Sequence, residues 1–349
     1  MKKTIIRFVL VLMSVLITLT PVWAQGVSKV GTTAASFLEI GIGSRAVAMG
    51  GAYVGLAEDV TAIYWNPGGL ALISQSEVSL IHTQWLGGIN FNHVAAAFPM
   101  GSMGTIGASL TSLNSGEMDV TTVFYPEGTG ERFDVSDLAV TVGWGRRFTD
   151  RFSFGANVKY ISERIWHSQA SAIAVDLGTT FRTQFRDMRI GMSVSNFGNK
   201  MQMTGRDLQI KYDIDEQKEG NNSKINAYLA TDEWSLPLLF RVGLAGDVIR
   251  LPHAKLTMTA DAAHPNNYAE SLHLGGEFNI MDLLYLRIGN TMYLNDVDDD
   301  GEHYSQEGVS FGAGLNYLVS RNLRLKVDYA YGDFGLLESV QRFSLALEF

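Results

Sequence analysis

The sequence predicts an all-β fold, a closed antiparallel transmembrane β-barrel of about fourteen strands with a short N-terminal plug. Apolar and polar residues alternate along many segments, which is the pattern of a strand with one apolar and one polar face. These segments run for about 10 to 14 residues, whereas soluble strands average about 5 to 6 and a tilted membrane strand needs about 9 to 11. Short connections alternate with longer ones, as they do in outer-membrane barrels.

The predicted barrel occupies residues 75–349, and its alternation is clearest at the C-terminus. Between 323 and 331 apolar side chains take the odd positions, and charged or small ones take the even positions. Residues 340–349 repeat the pattern, in which Phe343 and the terminal Phe349 form the aromatic end typical of strands that the outer-membrane insertion machinery recognises. The predicted strands are 75–85, 90–100, 102–113, 132–148, 150–164, 169–184, 187–197, 236–249, 253–264, 269–279, 282–294, 306–319, 321–332 and 340–349.

The two faces of these strands differ in character. Charges of both signs lie on the predicted lumen face, which indicates an interior crossed by ion pairs or packed against a plug, since a selective pore usually shows one sign. These charged residues are Arg241, Asp247, Lys255, Asp261, Glu277, Arg287, Arg324, Lys326, Asp328, Arg342 and Glu348. The aromatics expected at the two membrane interfaces, unless they are core residues of a soluble sheet, are Tyr160, Trp166, Tyr285, Tyr293, Tyr317 and Tyr329.

The N-terminus predicts export. Basic residues precede an apolar run at 8–19, and small residues at Val22 and Ala24 follow it. This is the layout of a signal peptide over residues 1–24, cleaved after Ala24. The apolar run is shorter than the roughly 20 residues of a spanning helix. We therefore expect an integral protein of the bacterial outer membrane, in contact with its lipid.

Composition excludes several other classes of protein. Loss of the three basic residues in the leader takes the formal net charge from −9 to −12, and so acidic a chain is a poor ligand for nucleic-acid phosphates. The sequence contains no cysteine, which excludes a disulfide scaffold, a thiolate metal site and a cysteine nucleophile.

Residues 25–74 are predicted to form a plug in the periplasmic mouth of the barrel. Small residues dominate this segment, and they allow close backbone packing. We expect a short helix over 46–56 and a second helix from Val60, with Asp59 as its N-cap. Residues 66–69, Asn-Pro-Gly-Gly, predict a turn.

The plug also carries a long motif of small, aromatic and charged residues. The motif residues are Gly41, Gly43, Arg45, Met49, Gly50, Gly51, Tyr53, Asp59, Trp65, Asn66, Pro67, Gly68 and Gly69. This motif strongly resembles that of the PorV/PorQ family, within the wider FadL-like group of outer-membrane barrels. The closing run from Arg342 to Leu345 and the terminal Phe349 are similar to that family too.

The resemblance implies a fourteen-stranded barrel with an N-terminal plug and two possible functions. PorV-like members act in type IX secretion, where they bind exported cargo and carry it from a translocon to an attachment complex; we take this as the main expectation. FadL-like barrels instead pass hydrophobic small molecules, and this is the alternative. A fold does not choose between functions.

For the secretion function, the outer loops would hold the protein-binding surface. The predicted loops are 113–132 and 198–235. Methionine and aromatic side chains suit adaptable protein contacts. In the second loop these are Met201, Met203, Tyr212, Tyr228 and Trp234.

One acidic loop is a candidate Ca²⁺ site. Residues 296–307 fit the calcium-loop pattern D-x-D-x-D-G-x5-E, in which carboxylates converge on one ion and glycine permits a sharp turn. The flanking strands and His303 depart from the usual pattern, so a solvated acidic loop or another divalent ion bridging to lipopolysaccharide stays open. The candidate ligands are Asp296, Asp298, Asp300, Glu302 and Glu307.

The sequence does not predict an enzyme. None of the seven histidines has the spacing of a metal-ligand motif, and no G-x-S-x-G segment occurs. We expect no other cofactor. His82 and His93, on the first two predicted strands, are expected to cap loops or face the lumen.

Overall fold

The computed structural model describes residues 31–215, 217, 224–294, 308–337 and 339–349. Fourteen strands form one closed antiparallel ring, in which each strand pairs with its neighbours in sequence and the last pairs with the first. The strands are β1 Glu77–Gln84, β2 Asn90–Pro99, β3 Thr105–Asp119, β4 Arg132–Arg147, β5 Phe152–Ile165, β6 Ser168–Arg182, β7 Arg189–Gly198, β8 Leu239–Leu251, β9 Ala254–Pro265, β10 Ser271–Ile280, β11 Leu284–Tyr293, β12 Val309–Ser320, β13 Leu323–Asp333 and β14 Ser339–Glu348. The predicted fold class and strand number are confirmed.

The barrel wall has an apolar outer face and a polar inner face. Outward side chains such as Val142, Val158 and Ile173 are more than half exposed, while Thr141 and Lys159 on the alternate positions are buried. An apolar belt of this extent needs lipid around it. Among the described residues, no helix is both long enough and apolar enough to cross a bilayer.

The strand connections define the two ends of the barrel. Tight turns follow every even-numbered strand, at the end where β1 starts and β14 stops. The longer connections lie at the opposite end and include residues 199–238. We call the end with tight turns the inner end and the other the outer end, since outer-membrane barrels have short periplasmic turns.

The N-terminal segment runs through the lumen from the outer end to the inner end. Near the outer end, the Ala34 amide donates to the Ser235 carbonyl (3.0 Å) and the Ala35 amide to Glu163 Oε1 (2.8 Å). Near the inner end, the Ser153 hydroxyl donates to the Gly68 carbonyl (2.9 Å). The plug therefore extends along the length of the barrel. Residues near Gly68 lie in the inner mouth, as expected, but the segment from Ala34 onward reaches the outer end, which was not expected.

The plug contains shorter helices than predicted. The first helix is Ser44–Val47, so that only Ala46 and Val47 of the predicted range 46–56 are α-helical. Gly50 and Gly51 have positive φ angles of 66° and 76°, which turn the chain out of the helix. The second helix is Ala62–Trp65; it does not begin at Val60.

Two polar side chains organise the rest of the plug. The Thr61 amide donates to Asp59 Oδ1 (3.0 Å), so the carboxylate acts just ahead of the helix rather than as its N-cap. The predicted Asn-Pro-Gly-Gly turn opens the 3₁₀ helix Pro67–Leu72. Asn66 Oδ1 accepts the Gly68 amide there (3.1 Å). The remaining short 3₁₀ helices are Ser36–Glu39, Leu86–Gly88, Gly101–Met103, Arg206–Leu208 and Gly335–Leu337.

Inward-facing glycines let the plug backbone lie directly against the wall. A Cβ on Gly155 would lie 2.1 Å from the Pro67 carbonyl oxygen, and one on Gly191 2.2 Å from the Val54 carbonyl oxygen. A Cβ on Gly289 would lie 2.0 Å from the Gly50 nitrogen. We call these residues the glycine belt: Gly145, Gly155, Gly178, Gly191, Gly243, Gly275, Gly289 and Gly312.

The long outer connection is partly folded onto the plug. Met201 is 1% exposed and belongs to the plug core, and Met203 packs against the same core. They are therefore not the exposed contact residues that we expected, although Tyr212, Tyr228 and Trp234 are exposed. The predicted loop 113–132 is shorter than expected, because β3 continues to Asp119. The short strands in the long connection are Met201–Gln202, Thr204–Gly205, Gln209–Tyr212, Ile225–Tyr228 and Glu233–Trp234.

The plug path predicts which plug residues are reached from outside the cell. A Thr32→Cys variant is expected to react with a membrane-impermeant maleimide in intact cells, because Thr32 is exposed near the outer end. A Gln75→Cys variant, exposed near the inner end, is expected to react only after lysis. The chain has no native cysteine, so each signal has one source. If only position 75 were labelled in intact cells, the end with the tight turns would face the outside of the cell and the assigned orientation would be wrong.

Candidate functional site

A cavity of about 450 Å³ lies between the plug and the outer part of the wall. Its floor includes Gly41, Gly51 and Trp65 of the plug, and its sides come from β8 to β14 and their outer connections. This volume is within the roughly 300–1,000 Å³ of typical small-molecule sites. We therefore take this outer cavity as the candidate site.

Aromatic rings form much of the cavity lining. Trp85 and Phe334 meet edge to face with ring centroids 5.4 Å apart, and Tyr268 and Tyr293 do the same at 5.3 Å. Trp65 is held from below, since its Nε1 donates to the Ile42 carbonyl (2.8 Å). Rings fixed in this way offer a rigid apolar surface to a ligand.

Arg241 is buried beside the aromatic residues of the cavity floor. The Arg241 guanidinium lies 5.0 Å from the Trp65 ring centroid and 5.5 Å from that of Tyr64, in cation–π geometry. Glu39 carries the opposite charge nearby and accepts a hydrogen bond from Asn267 Nδ2 (3.0 Å). Burial raises the pKa of Glu39 above its ordinary value, although Asn267 and Arg241 act in the opposite direction.

His273 links the cavity wall to the plug. Its Nδ1 lies 2.7 Å from the Gly50 carbonyl oxygen, which can only accept, so Nδ1 carries the proton and donates. In the neutral imidazole Nε2 is then an acceptor, and the Ser271 hydroxyl donates to it (2.8 Å). The Thr291 hydroxyl also donates to the Gly50 carbonyl (3.0 Å). These bonds fix the plug glycine beside the cavity.

Below the cavity, Arg45 joins the plug to the wall through a charge cluster. Its Nε and Nη2 donate to Glu277 Oε2 and Oε1 at 2.8 and 2.9 Å, a bidentate pair. Arg287 donates to the same carboxylate at 2.7 Å. Arg45 also contacts Glu58 at 3.3 Å and Asp59 at 3.5 Å. Glu277 and Arg287, two of the charged residues predicted to face the lumen, thus form ion pairs there.

Asp59 is held ionised within this charge cluster. Burial acts to raise its pKa, but the positive charge of Arg45 and hydrogen bonds from Thr61 and Tyr53 outweigh it. The pKa of Asp59 is therefore lowered from its ordinary value. The charge cluster has a structural role, because its groups pair with each other and hold the plug to the wall, and none of them lines the cavity.

The predicted plug motif divides into three regions in the structure. Gly41, Gly50, Gly51 and Trp65 line the cavity. The second region is the charge cluster and the helix Ser44–Val47, and its motif residues are Gly43, Arg45, Met49, Tyr53 and Asp59. The third region packs at the inner end against β4, β5 and β6, and its residues are Asn66, Pro67, Gly68 and Gly69.

Several site residues were missed or misplaced by sequence reasoning. Tyr285 and Tyr293 face the lumen, and the expectation that they lie at the membrane interface is wrong; they share strand parity with the inward Arg287. Trp85 and Phe334 lie in connections, where no periodicity marks a face.

The two histidines of the first two strands lie in different environments. His93 is buried and forms a hydrogen bond with Thr111, whereas His82 is exposed and forms one with Asn92.

The other predicted sites lie away from the cavity. Phe343 and Phe349 are each 52% exposed on the outward face of β14 and at the C-terminus, and the Phe349 amide donates to the Ser76 carbonyl (2.9 Å). The predicted signal peptide over 1–24 is outside the described residues. So are the predicted calcium ligands Asp296, Asp298, Asp300, Glu302 and Glu307.

The fold is similar to that of solved outer-membrane channels. The monoaromatic hydrocarbon channel CymD matches with a TM-score of 0.54 and 10% identity. The toluene transporter TbuX of Ralstonia pickettii matches at 0.54 and 12%, and a FadL homologue of Pseudomonas aeruginosa at 0.53 and 12%. Each likeness covers 88% of this chain and 97% of the other. The chain thus has a FadL-like barrel fold.

Sequence comparisons add no family. No family model matches the chain. Calpain-13 of Rattus norvegicus is 32% identical over 118 residues, which is 29% of this chain. The chain spans only 18% of that protein's length, so this match assigns neither a family nor an activity.

Proposed function

We propose that this protein is an outer-membrane channel component that binds a hydrophobic small molecule in the outer cavity. The observation that carries the proposal is a ring-lined cavity of about 450 Å³ at the outer end of a plugged, lipid-embedded barrel. The resemblance in fold to hydrocarbon channels supports it. A signal peptide over 1–24 would deliver the chain to its membrane.

The polar groups of the cavity narrow the ligand class. Arg241 and Glu39 lie on the same side and balance each other in charge, so the floor does not favour a strongly charged ligand. The rings of Trp65, Trp85 and Tyr268 favour flat apolar bodies. A neutral aromatic or alicyclic compound of modest size fits these features best.

If the ligand binds in the outer cavity, a large side chain that fills the cavity should weaken ligand binding. Ala263 lines the cavity on β9 and is buried, whereas Ala262 faces outward on the same strand. We expect Ala263→Trp to weaken p-xylene binding at least tenfold, because the indole would occupy the ligand volume. We expect Ala262→Trp to bind like the wild type.

Binding is measured on purified protein in detergent by isothermal titration, with heat-modified gel mobility as the folding control. Equal p-xylene affinity in the Ala263→Trp and Ala262→Trp variants would exclude this cavity as the site. A wild-type protein that binds no member of a panel of neutral aromatic and alicyclic compounds would overturn the channel function itself.

A second candidate function is that of a PorV-like carrier in type IX secretion. Its support is the plug motif, together with the exposed side chains of Tyr212, Tyr228 and Trp234 on the long outer connection. On this proposal, translocon, cargo and attachment-complex proteins are the partners. Deletion of 209–228, which removes Tyr212 and Tyr228, would abolish cargo capture while the barrel stays folded. Retained capture would remove these two residues from the proposed surface.

A further inference from the structure

Arginines gather at the inner mouth of the barrel, on the side away from the cavity. Arg147 ends β4, Arg151 precedes β5 and Arg182 ends β6. The Arg182 amide donates to the Arg151 carbonyl (2.8 Å), which joins the two turns. These three arginines and Arg189 line one cleft beside Leu72 at the end of the plug. We call Arg147, Arg151 and Arg182 the inner arginines.

The inner arginines face the aqueous mouth rather than the lipid. Arg147 and Arg182 share strand parity with Gly145 and Thr180, whose positions point at the plug. The cleft also contains Ser153, another inward position. Lipid headgroups surround the outside of the wall, so they do not reach this cleft. Its ligand must come from the periplasmic solution.

The positive charge of this cleft is largely unmatched. Arg189 is paired with Glu58, and Asp150 is the acidic residue among those lining the cleft. Among the described residues, none lies within ion-pair distance of the inner arginines, and all three are exposed. The cleft is therefore basic, although the whole chain has a formal net charge of −9.

The spacing of the inner arginines indicates a ligand with several negative charges. Neighbouring strands lie about 4.8 Å apart, so the chain positions on β4 and β6 are about 10 Å apart. Arginine pairs bidentately with carboxylates and is enriched in protein interfaces. A run of carboxylates along a peptide covers such a row better than one phosphate does.

We propose that the inner arginines form a docking site for an acidic segment of a periplasmic protein. The surface lies directly beneath the plug end, so a bound partner would sit at the inner opening of the barrel. This site is independent of the outer cavity and of the ligand bound there.

The test uses purified full-length protein in nanodiscs and a fluorescein-labelled decaglutamate peptide, read by fluorescence anisotropy at low salt. We expect the triple variant R147Q/R151Q/R182Q to bind the peptide at least tenfold more weakly than the wild type. The matched control K200Q/R206Q/K211Q removes the same charge from the outer connection and should bind like the wild type. Added salt should weaken wild-type binding, since the contacts are exposed.

Three results would overturn the proposal. The first is peptide binding that does not differ between wild type and the inner triple variant. The second is an equal loss of binding in the outer control. In the third, pyrophosphate binds to the inner arginines as tightly as the peptide does, which would make the site one for a small anion. Circular dichroism and heat-modified mobility establish that each variant is folded.

Discussion

Replacing Arg45 by methionine is expected to lower the free energy of unfolding by about 3–5 kcal/mol, the range for breaking a buried ion pair from one side. Glu277 is almost fully buried and would lose two hydrogen bonds from Arg45. Glu58 and Asp59 would also lose their contacts with this cation. The midpoint of urea unfolding in detergent measures the change.

The matched control is Arg132→Met on the barrel surface. Arg132 pairs with Glu117 at 3.0 Å, but both side chains are more than 60% exposed, and such pairs contribute at most about 1 kcal/mol. Comparable losses in the two variants would contradict the view that the charge cluster locks the plug.

The same charge cluster predicts sensitivity to acid. A carboxyl whose folded pKa lies below its unfolded value contributes its full stability above the unfolded value, and loses that contribution as the pH falls through the folded value. Asp59 is such a group. In Arg45→Met the pKa of Asp59 should rise, so the variant should lose plug anchoring at a higher pH than the wild type.

Substitution in the glycine belt is expected to have the second large effect. In Gly155→Ala the new methyl group would lie 2.1 Å from the Pro67 carbonyl oxygen and 2.8 Å from the Gly68 nitrogen. Both are backbone atoms, which cannot rotate away, so the plug must shift. We expect a loss of about 3 kcal/mol, at the upper end for overpacking, and ion conductance in planar bilayers where the wild type has little.

Gly276→Ala provides the control for this substitution. Its Cβ would meet the Met258 sulfur at 3.5 Å, an ordinary contact with a flexible side chain. The control should melt and conduct like the wild type. Unchanged stability in Gly155→Ala would mean that the plug is loosely held in solution.

The barrel could be predicted from three features together: the alternation along the strands, their length of about 10 to 14 residues, and the regular change between short and longer connections. Arg241, Glu277 and Arg287 were placed in the lumen by parity alone. The glycine belt was not predictable in this way. Gly155 and Gly289 are required because the plug backbone lies directly against them, and no pattern in the neighbouring sequence indicates that contact.

The candidate cavity was also only partly predictable. Tyr293 could have been assigned to the lumen from its parity with Arg287, but Trp85, Tyr268 and Phe334 lie in connections without a period. The composition of the plug indicated close packing, yet its path depended on distant partners such as Ser235 and Glu163.

The backbone contacts between plug and wall have a consequence for the order of assembly. The plug backbone touches the wall on many strands. A barrel that had already closed would therefore have no room for the plug side chains to pass through the lumen. We therefore expect the wall to close around a plug that is already in place. The pairing between β1 and β14 joins the first strand of the barrel to the last, for example Glu77 to Glu348. We expect this pairing to form last, with the plug acting as the template around which the barrel folds.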